Sequence, residues 1–278
     1  MKLAMLTALN ATAIEVAKRC GYDGIEIGDI SGKLLDFTSE EAIEHIHKLI
    51  DGTDCKISSV LIKGAPLSAD PADEKVRFQT YLAVCREFGA VLTMPGPMGF
   101  ESEQGLIENG QRFKKVYGPL TELAEKIGVR MAFENWPGGR PYDKQTSFSA
   151  TPEMWEIMFS AVDSNFLGLE FDPSHLIWQE IDPYKALADF ADKVFIVHLK
   201  DTEIFTEKRA YAGSFSKGWW RYRIPGYGVI AWERLFAIMT EREFEGFGVV
   251  EHEDQVFNND RRNEGFAVAA HYLKSILR

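Results

Sequence analysis

The chain repeats one unit from end to end. A short apolar run is followed by an amphipathic helical stretch, and the pair recurs eight times along 278 residues. The predicted strands cover residues 3–8, 24–28, 56–62, 90–94, 129–133, 167–171, 194–199 and 247–251. The main predicted helices cover 12–19, 39–50, 71–88, 101–127, 151–162, 183–191, 231–241 and 263–277. Apolar runs without polar alternation suit strands covered on both faces, as in a parallel sheet wrapped by helices. Helix punctuation agrees. Ser39 is an N-cap, Thr151-Pro152-Glu153 opens a helix, and Gly21, Gly89 and Gly128 close helices.

Eight consecutive β/α units predict an α/β fold, a closed (β/α)8 TIM barrel, with residues 1–278 as a single domain. The rival is an open, doubly wound sheet. It would carry a glycine-rich phosphate turn after the first strand, and none occurs. Two connections are long, residues 137–150 and 201–230, and both follow strand C-termini, where barrels build their sites. The second, with Tyr211, Phe215, Lys217, Trp219, Trp220, Arg221, Tyr222 and Arg223, reads as a lid or substrate wall.

Charge and cysteine usage narrow the function. The net charge of −11 repels nucleic acid, whose binding rests on neutralising phosphates. Cys20, Cys55 and Cys85 form no CxxC or CxxH pair, so they read as buried small side chains rather than disulfides or thiolate ligands. No run is long enough to span a membrane, and the N-terminal apolar run is too short for a signal peptide, which points to the cytoplasm.

The chemistry collects at strand ends. Strand five ends on Phe133-Glu134-Asn135 and strand six on Phe171-Asp172-Pro173-Ser174-His175. Strand seven ends on Val197-His198-Leu199-Lys200-Asp201 and strand eight on Val250-Glu251-His252-Glu253. In a closed barrel these ends converge. Three carboxylates brought together repel unless a cation lies between them. With one imidazole they suit a hard or borderline divalent ion. Glu134, Asp172, His198 and Glu251 are therefore the candidate ligands. Mn²⁺ is the first choice, with Mg²⁺, Co²⁺ or Zn²⁺ as alternatives.

These motifs, with Arg223-Ile224-Pro225-Gly226, resemble in order those of the xylose isomerase-like barrels of the sugar phosphate isomerase/epimerase superfamily. The resemblance covers the whole chain. It implies one metal on the four ligands, with Glu134 and Glu251 also transferring protons. It implies substrate contacts from His175 and Arg223; Lys200 and Trp136 are further candidates from their positions. The implied activity is isomerisation or epimerisation of a ketose or keto-sugar. A proton next to the carbonyl is removed, and the metal stabilises the enediolate.

The alternative is a lyase on the same barrel, eliminating a group β to a carbonyl as inosose dehydratases and keto-glycoside-cleaving relatives do. A third reading is a non-catalytic sugar-binding barrel. An apurinic endonuclease would need histidines at the ends of strands one to four, and none is there. Glu26 reads equally as a pocket residue or as half of a buried ion pair. Glu253 faces the same side as Glu251, and His252 faces away. The expected partner is a small keto-sugar, without nucleic acid or membrane; a homo-oligomer is left open.

Overall fold

Parallel pairing joins eight strands into a ring. They are β1 (Lys2–Leu6), β2 (Gly24–Gly28), β3 (Lys56–Leu61), β4 (Val91–Pro95), β5 (Met131–Glu134), β6 (Leu167–Phe171), β7 (Val194–His198) and, after the hairpin strands β8 (Asp201–Ile204) and β9 (Trp220–Arg223), β10 (Phe247–Val250). The ring order is β1-β10-β7-β6-β5-β4-β3-β2. It is seen in a computed structural model that describes residues 1–28, 38–139 and 145–277. Every residue of β2, β5, β6 and β7 is buried, which accounts for their largely apolar character; Glu26, Glu134 and Glu170 are the buried acids among them.

Helices α1 (Ala11–Cys20), α2 (Glu40–Ile50), α3 (Pro71–Phe88), α4 (Gly105–Ile127) and α5 (Pro152–Ala161) follow the first five strands. Later come α6 (Pro173–Trp178), α7 (Pro183–Phe190), α8 (Thr206–Ala212), α9 (Trp232–Glu241) and α10 (Arg262–Ile276). The predicted caps are made. Ser39 accepts from the Ala42 N–H and Thr151 from the Met154 N–H, contacts worth about 1 kcal/mol each. Gly89 and Gly128 close α3 and α4 in the left-handed region, at φ +64° and +81°.

Between the sheet and α4, Phe113, Tyr117 and Phe133 are fully buried and in ring contact, Tyr117 meeting Phe133 edge-on at 4.7 Å. The Tyr117 hydroxyl donates to the Ala65 carbonyl at 2.6 Å, so the ring carries its polar atom inward without cost.

Within the barrel, two strand pairs show a register shift. The β2–β3 pair shifts between Ile25 and Glu26, and the β6–β7 pair between Leu169 and Glu170. Both shifts fall at a buried glutamate.

The connection 201–230 differs from the predicted loop. It contains the antiparallel hairpin β8–β9, in which Asp201 pairs with Arg223 and Ile204 with Trp220. Helix α8 lies between the two strands. Asp201 anchors the hairpin base: its carboxylate accepts from the N–H groups of Thr202, Gly226 and Ile230 and from the Trp232 indole. A side chain at Gly228 would overlap that carboxylate, its Cβ lying 2.2 Å from Asp201 Oδ1.

In the connection 137–150, residues 140–144 lie outside the described residues. The remainder is stitched to the β4 loop through a bridge between Met98 and Ser147. The cysteines also differ from expectation: Cys85 is buried, but Cys20 and Cys55 are partly exposed. Among the described residues, no helix is long and apolar enough to cross a membrane.

Candidate metal centre

Asn135 fixes the spacing of the first two ligands. Its side chain accepts from the Asp172 N–H at 2.6 Å and donates to the Asp172 carbonyl at 2.8 Å, tying the end of β5 to the end of β6. Asp172 is also the N-cap of α6. Its Oδ1 accepts from the Ser174 N–H at 2.8 Å. Its Oδ2 is buried and lacks an aligned hydrogen bond, although Lys200 Nζ lies 3.0 Å away. His175, one turn later, returns to the same side. Its Nε2 is 3.2 Å from Asp172 Oδ2 and 3.3 Å from Glu134 Oε1.

His198 ends β7 with Nδ1 3.2 Å from Glu134 Oε1 and 3.0 Å from Glu251 Oε2. One ligand atom each from Glu134, Asp172, His198 and Glu251 falls within 4.8 Å of the others. Three carboxylate oxygens and an imidazole nitrogen, with an orphaned Asp172 oxygen among them, fit a divalent cation. The structure therefore brings the four predicted ligands together.

Lys200 is buried in the same cluster. Its ammonium donates to Glu251 Oε2 at 2.6 Å and to Glu253 Oε2 at 3.2 Å, and lies 4.5 Å from the centre of the Tyr222 ring. Burial opposes the charge, but Asp172, Glu251, Glu253 and Glu134 hold Lys200 protonated, well above its ordinary value. The same charges act in reverse on the carboxyls. Burial alone would raise Glu134, yet hydrogen bonds from His175 and His198 and the Lys200 charge hold it well below the usual range. Burial is likewise outweighed at Glu251, where Lys200 helps lower the carboxyl to about 2. Both glutamates are ionised and able to accept a proton.

A relay from the hairpin orients His175. The Trp178 indole N–H donates to Tyr222 Oη at 3.2 Å, and Tyr222 Oη and His175 Nδ1 share a hydrogen bond at 2.8 Å. With the Tyr222 hydroxyl as donor, the His175 proton sits on Nε2, facing the carboxylates. Trp178 and Trp220 stack face to face, with centroids 5.1 Å apart and planes at 4°.

These groups line a cavity of about 480 Å³, with Trp136 and Trp220 on its wall and Leu61 and Pro95 on the opposite strands. His175, Lys200, Trp136 and Glu253 thus share the cavity with the ligands. Arg223 is not among its lining residues. Its guanidinium is buried against Asp254 at 2.7 Å and Glu203 at 2.7 Å, where it braces the hairpin. This departs from the substrate contact that the resemblance implied. The physical reason is the alternation of β9, which turns Trp220 and Tyr222 one way and Arg221 and Arg223 the other, onto Glu203.

Trp219 is also absent from the cavity wall. It is fully buried and donates to the Ser214 carbonyl at 2.8 Å. His252 faces away from the axis, against Phe266.

Sequence reasoning missed Asn135, Trp178 and Glu170. The isolated acid in Leu169-Glu170-Phe171 was a usable signal. Glu170 is fully buried, and burial and the facing Glu26 charge keep its carboxyl well above the usual range.

The ring and the acidic rim together make a barrel with a candidate metal site at its mouth. The chain belongs to the family of xylose isomerase-like TIM barrels, which matches residues 14–276. It is 24% identical to an inosose dehydratase of Clostridium beijerinckii over 261 residues, covering 87% of this chain and 81% of that protein. It is 30% identical to an inosose dehydratase of Clostridium botulinum over 157 residues, 55% of this chain and about half, 48%, of the relative's length.

Among solved structures, the IOLI protein with a bound zinc atom superposes with a TM-score of 0.77 at 20% identity, covering 100% of this chain and 98% of that one. The 3-keto-D-glucoside 4-epimerase YcjR of E. coli superposes at 0.70 with 16% identity over 99% of both chains. At these identities the superpositions show the shared fold.

Proposed function

We propose that the protein is a divalent-metal-dependent isomerase or epimerase of a ketose or related keto-sugar. The observation that carries this reading is the convergence of Glu134, Asp172, His198 and Glu251 on one point beside a cavity that Glu134, His198 and Glu251 line. An ion held there, Mn²⁺ by preference, would supply Lewis-acid stabilisation of the charge that develops on substrate oxygen.

The chain's own groups do the rest. One of Glu134 and Glu251 accepts the proton from the carbon beside the carbonyl, since both are ionised. The other draws a proton from solvent water, delivers it to the opposite face and so inverts the centre, while the first sheds its proton to solvent. The Lys200 ammonium and the His175 Nε2–H stand by as hydrogen-bond donors to oxygen. Trp136 and Trp220 supply apolar wall for a sugar face.

A lyase is the second reading. It is favoured by two N–H donors beside the acid/base pair and by the inosose dehydratase relatives. Here the first proton goes to a glutamate, the carbon–oxygen bond β to the carbonyl breaks, and the leaving hydroxyl takes a proton from His175 or Lys200 and departs as water.

One experiment tests both readings. Purified protein is incubated with Mn²⁺ and a panel of ketoses and keto-cyclitols in D₂O and followed by NMR. Deuterium entering beside the carbonyl without loss of water supports the isomerase or epimerase. Exchange coupled to loss of water supports the lyase. No exchange anywhere in the panel overturns both in favour of a non-catalytic sugar-binding barrel.

A further inference from the structure

Below the four ligand atoms lies a second charged layer that the proposed chemistry leaves unused. Glu26 of β2 and Glu170 of β6 are both fully buried. Glu26 Oε2 lies 3.0 Å, and Glu170 Oε1 3.1 Å, from the same atom, His198 Nε2. The other ring nitrogen, Nδ1, faces Glu134 and Glu251. The imidazole therefore spans two acidic layers. The second Glu26 oxygen is fixed from β4, accepting from the Thr93 hydroxyl at 2.7 Å.

The arrangement is costly. Two carboxyls are buried side by side, and both Glu170 oxygens lack an aligned hydrogen bond. The backbone adapts to it as well. The register shifts of the β2–β3 and β6–β7 pairs fall at Glu26 and at Glu170. Such irregularities re-aim side chains next to functional sites. A neutral imidazole has two tautomers, and only the one protonated on Nε2 offers the Nδ1 electron pair to a metal.

We infer that Glu26 and Glu170 are positioning residues for the metal centre: Glu26 accepts the Nε2–H of His198, Glu170 flanks the same nitrogen, and together they hold Nδ1 as an electron-pair donor toward the site shared with Glu134, Asp172 and Glu251. The inference rests on the metal-dependent reading above, and it explains why two carboxyls are buried where substrate does not reach. If the pair merely filled the core, glutamine, which occupies the same volume, would serve equally well at both positions.

The test is the dissociation constant of Mn²⁺, measured by competition with a chelating dye on the full chain. The proteins compared are wild type, E26Q, E170Q, the double variant E26Q/E170Q, and T93V. Outer partners of a ligating histidine typically contribute about 10- to 100-fold in metal affinity, and E26Q should weaken binding by that factor. E170Q should weaken it less, because Glu26 remains, and the double variant most. T93V keeps both carboxyls and frees only one Glu26 oxygen, so a several-fold loss is expected from a chain that folds even if E26Q does not. Nitrogen NMR of ¹⁵N-histidine-labelled wild type loaded with Zn²⁺ should show His198 protonated on Nε2 and not on Nδ1.

Folded E26Q and double variants that bind Mn²⁺ like wild type, or a His198 proton found on Nδ1, would overturn the positioning role alone. Wild type that binds neither Mn²⁺ nor Zn²⁺ would overturn the metal reading and this inference with it.

Discussion

Strands β5, β6, β7 and β10 lead directly into Glu134, Asp172, His198 and Glu251, whereas β1, β3 and β4 finish on Leu6, Leu61 and Pro95. The two halves share one pairing scheme and nearly the same burial. They differ in what crosses the rim. The first half also supports α6 and the β8–β9 hairpin, which bring His175, Trp220 and Tyr222 to the cavity, with Trp178 behind them. The second half gives it apolar wall. The cavity is therefore polar on one side and apolar on the other, which suits a ligand whose oxygens must be held while its carbon face is kept from water. Glu26 breaks the pattern, reaching from the apolar half to His198.

Substitutions can break this comparison or sharpen it. The largest effect is expected from Glu251→Gln, which removes a proton acceptor without changing shape. Turnover should fall about 10²- to 10⁴-fold with unchanged thermal unfolding, and normal activity would remove the acid/base role. Next, Asp172→Asn keeps an oxygen for capping α6 but loses the charge. Metal affinity should fall by at least about 10-fold, measured by titration; unaltered affinity would take Asp172 out of the ligand set.

Arg223→Ala leaves the buried Asp254 carboxylate unpaired and should cost about 3 kcal/mol in denaturant unfolding. Metal affinity should hold. The pair carries a pH signature. Burial alone would raise Asp254, but its bond to Arg223 keeps it below the ordinary value. Its contribution is therefore complete above the unfolded aspartate range and is lost as pH falls through the lowered value, so the variant should lose less stability on acidification.

Leu61→Ala, in the apolar half, should cost about 2–5 kcal/mol with no change in metal binding. A change there would show the halves to be coupled. The smallest effect is expected from Tyr222→Phe, which removes one hydrogen bond to His175. A loss of about 1 kcal/mol, several-fold in kcat, should appear with metal affinity intact.

The barrel was legible because its strands are short, mainly apolar runs and its helices carry strong punctuation. Gly24–Gly28, Pro71–Phe88 and Leu167–Phe171 match the predicted bounds. The four ligand candidates were legible because each directly follows, or ends, an apolar run. What escaped was short or non-local. Helix α6 has six residues, too few for a periodic signal. The hairpin is polar on one face, and its only trace is the alternation Trp220-Arg221-Tyr222-Arg223. That alternation, weighed as a strand, would have turned Arg223 away from Trp220 and Tyr222. The Asn135 clamp and the Glu26–His198 contact join residues 37 and 172 positions apart, and only the closed ring brings them together.

The two oxygens of Asp172 have separate employments, one capping α6 and the other aimed at the metal position. A descendant that abandoned catalysis would still be under selection to keep an aspartate or asparagine here, because the fold needs the cap. Glu134 and Glu251 cap no helix among the described residues; their side chains face the charged cluster of His175, His198 and Lys200. Among homologous barrels, drift at those two positions, rather than at the aspartate, should be the earliest genetic sign that the chemistry has been given up.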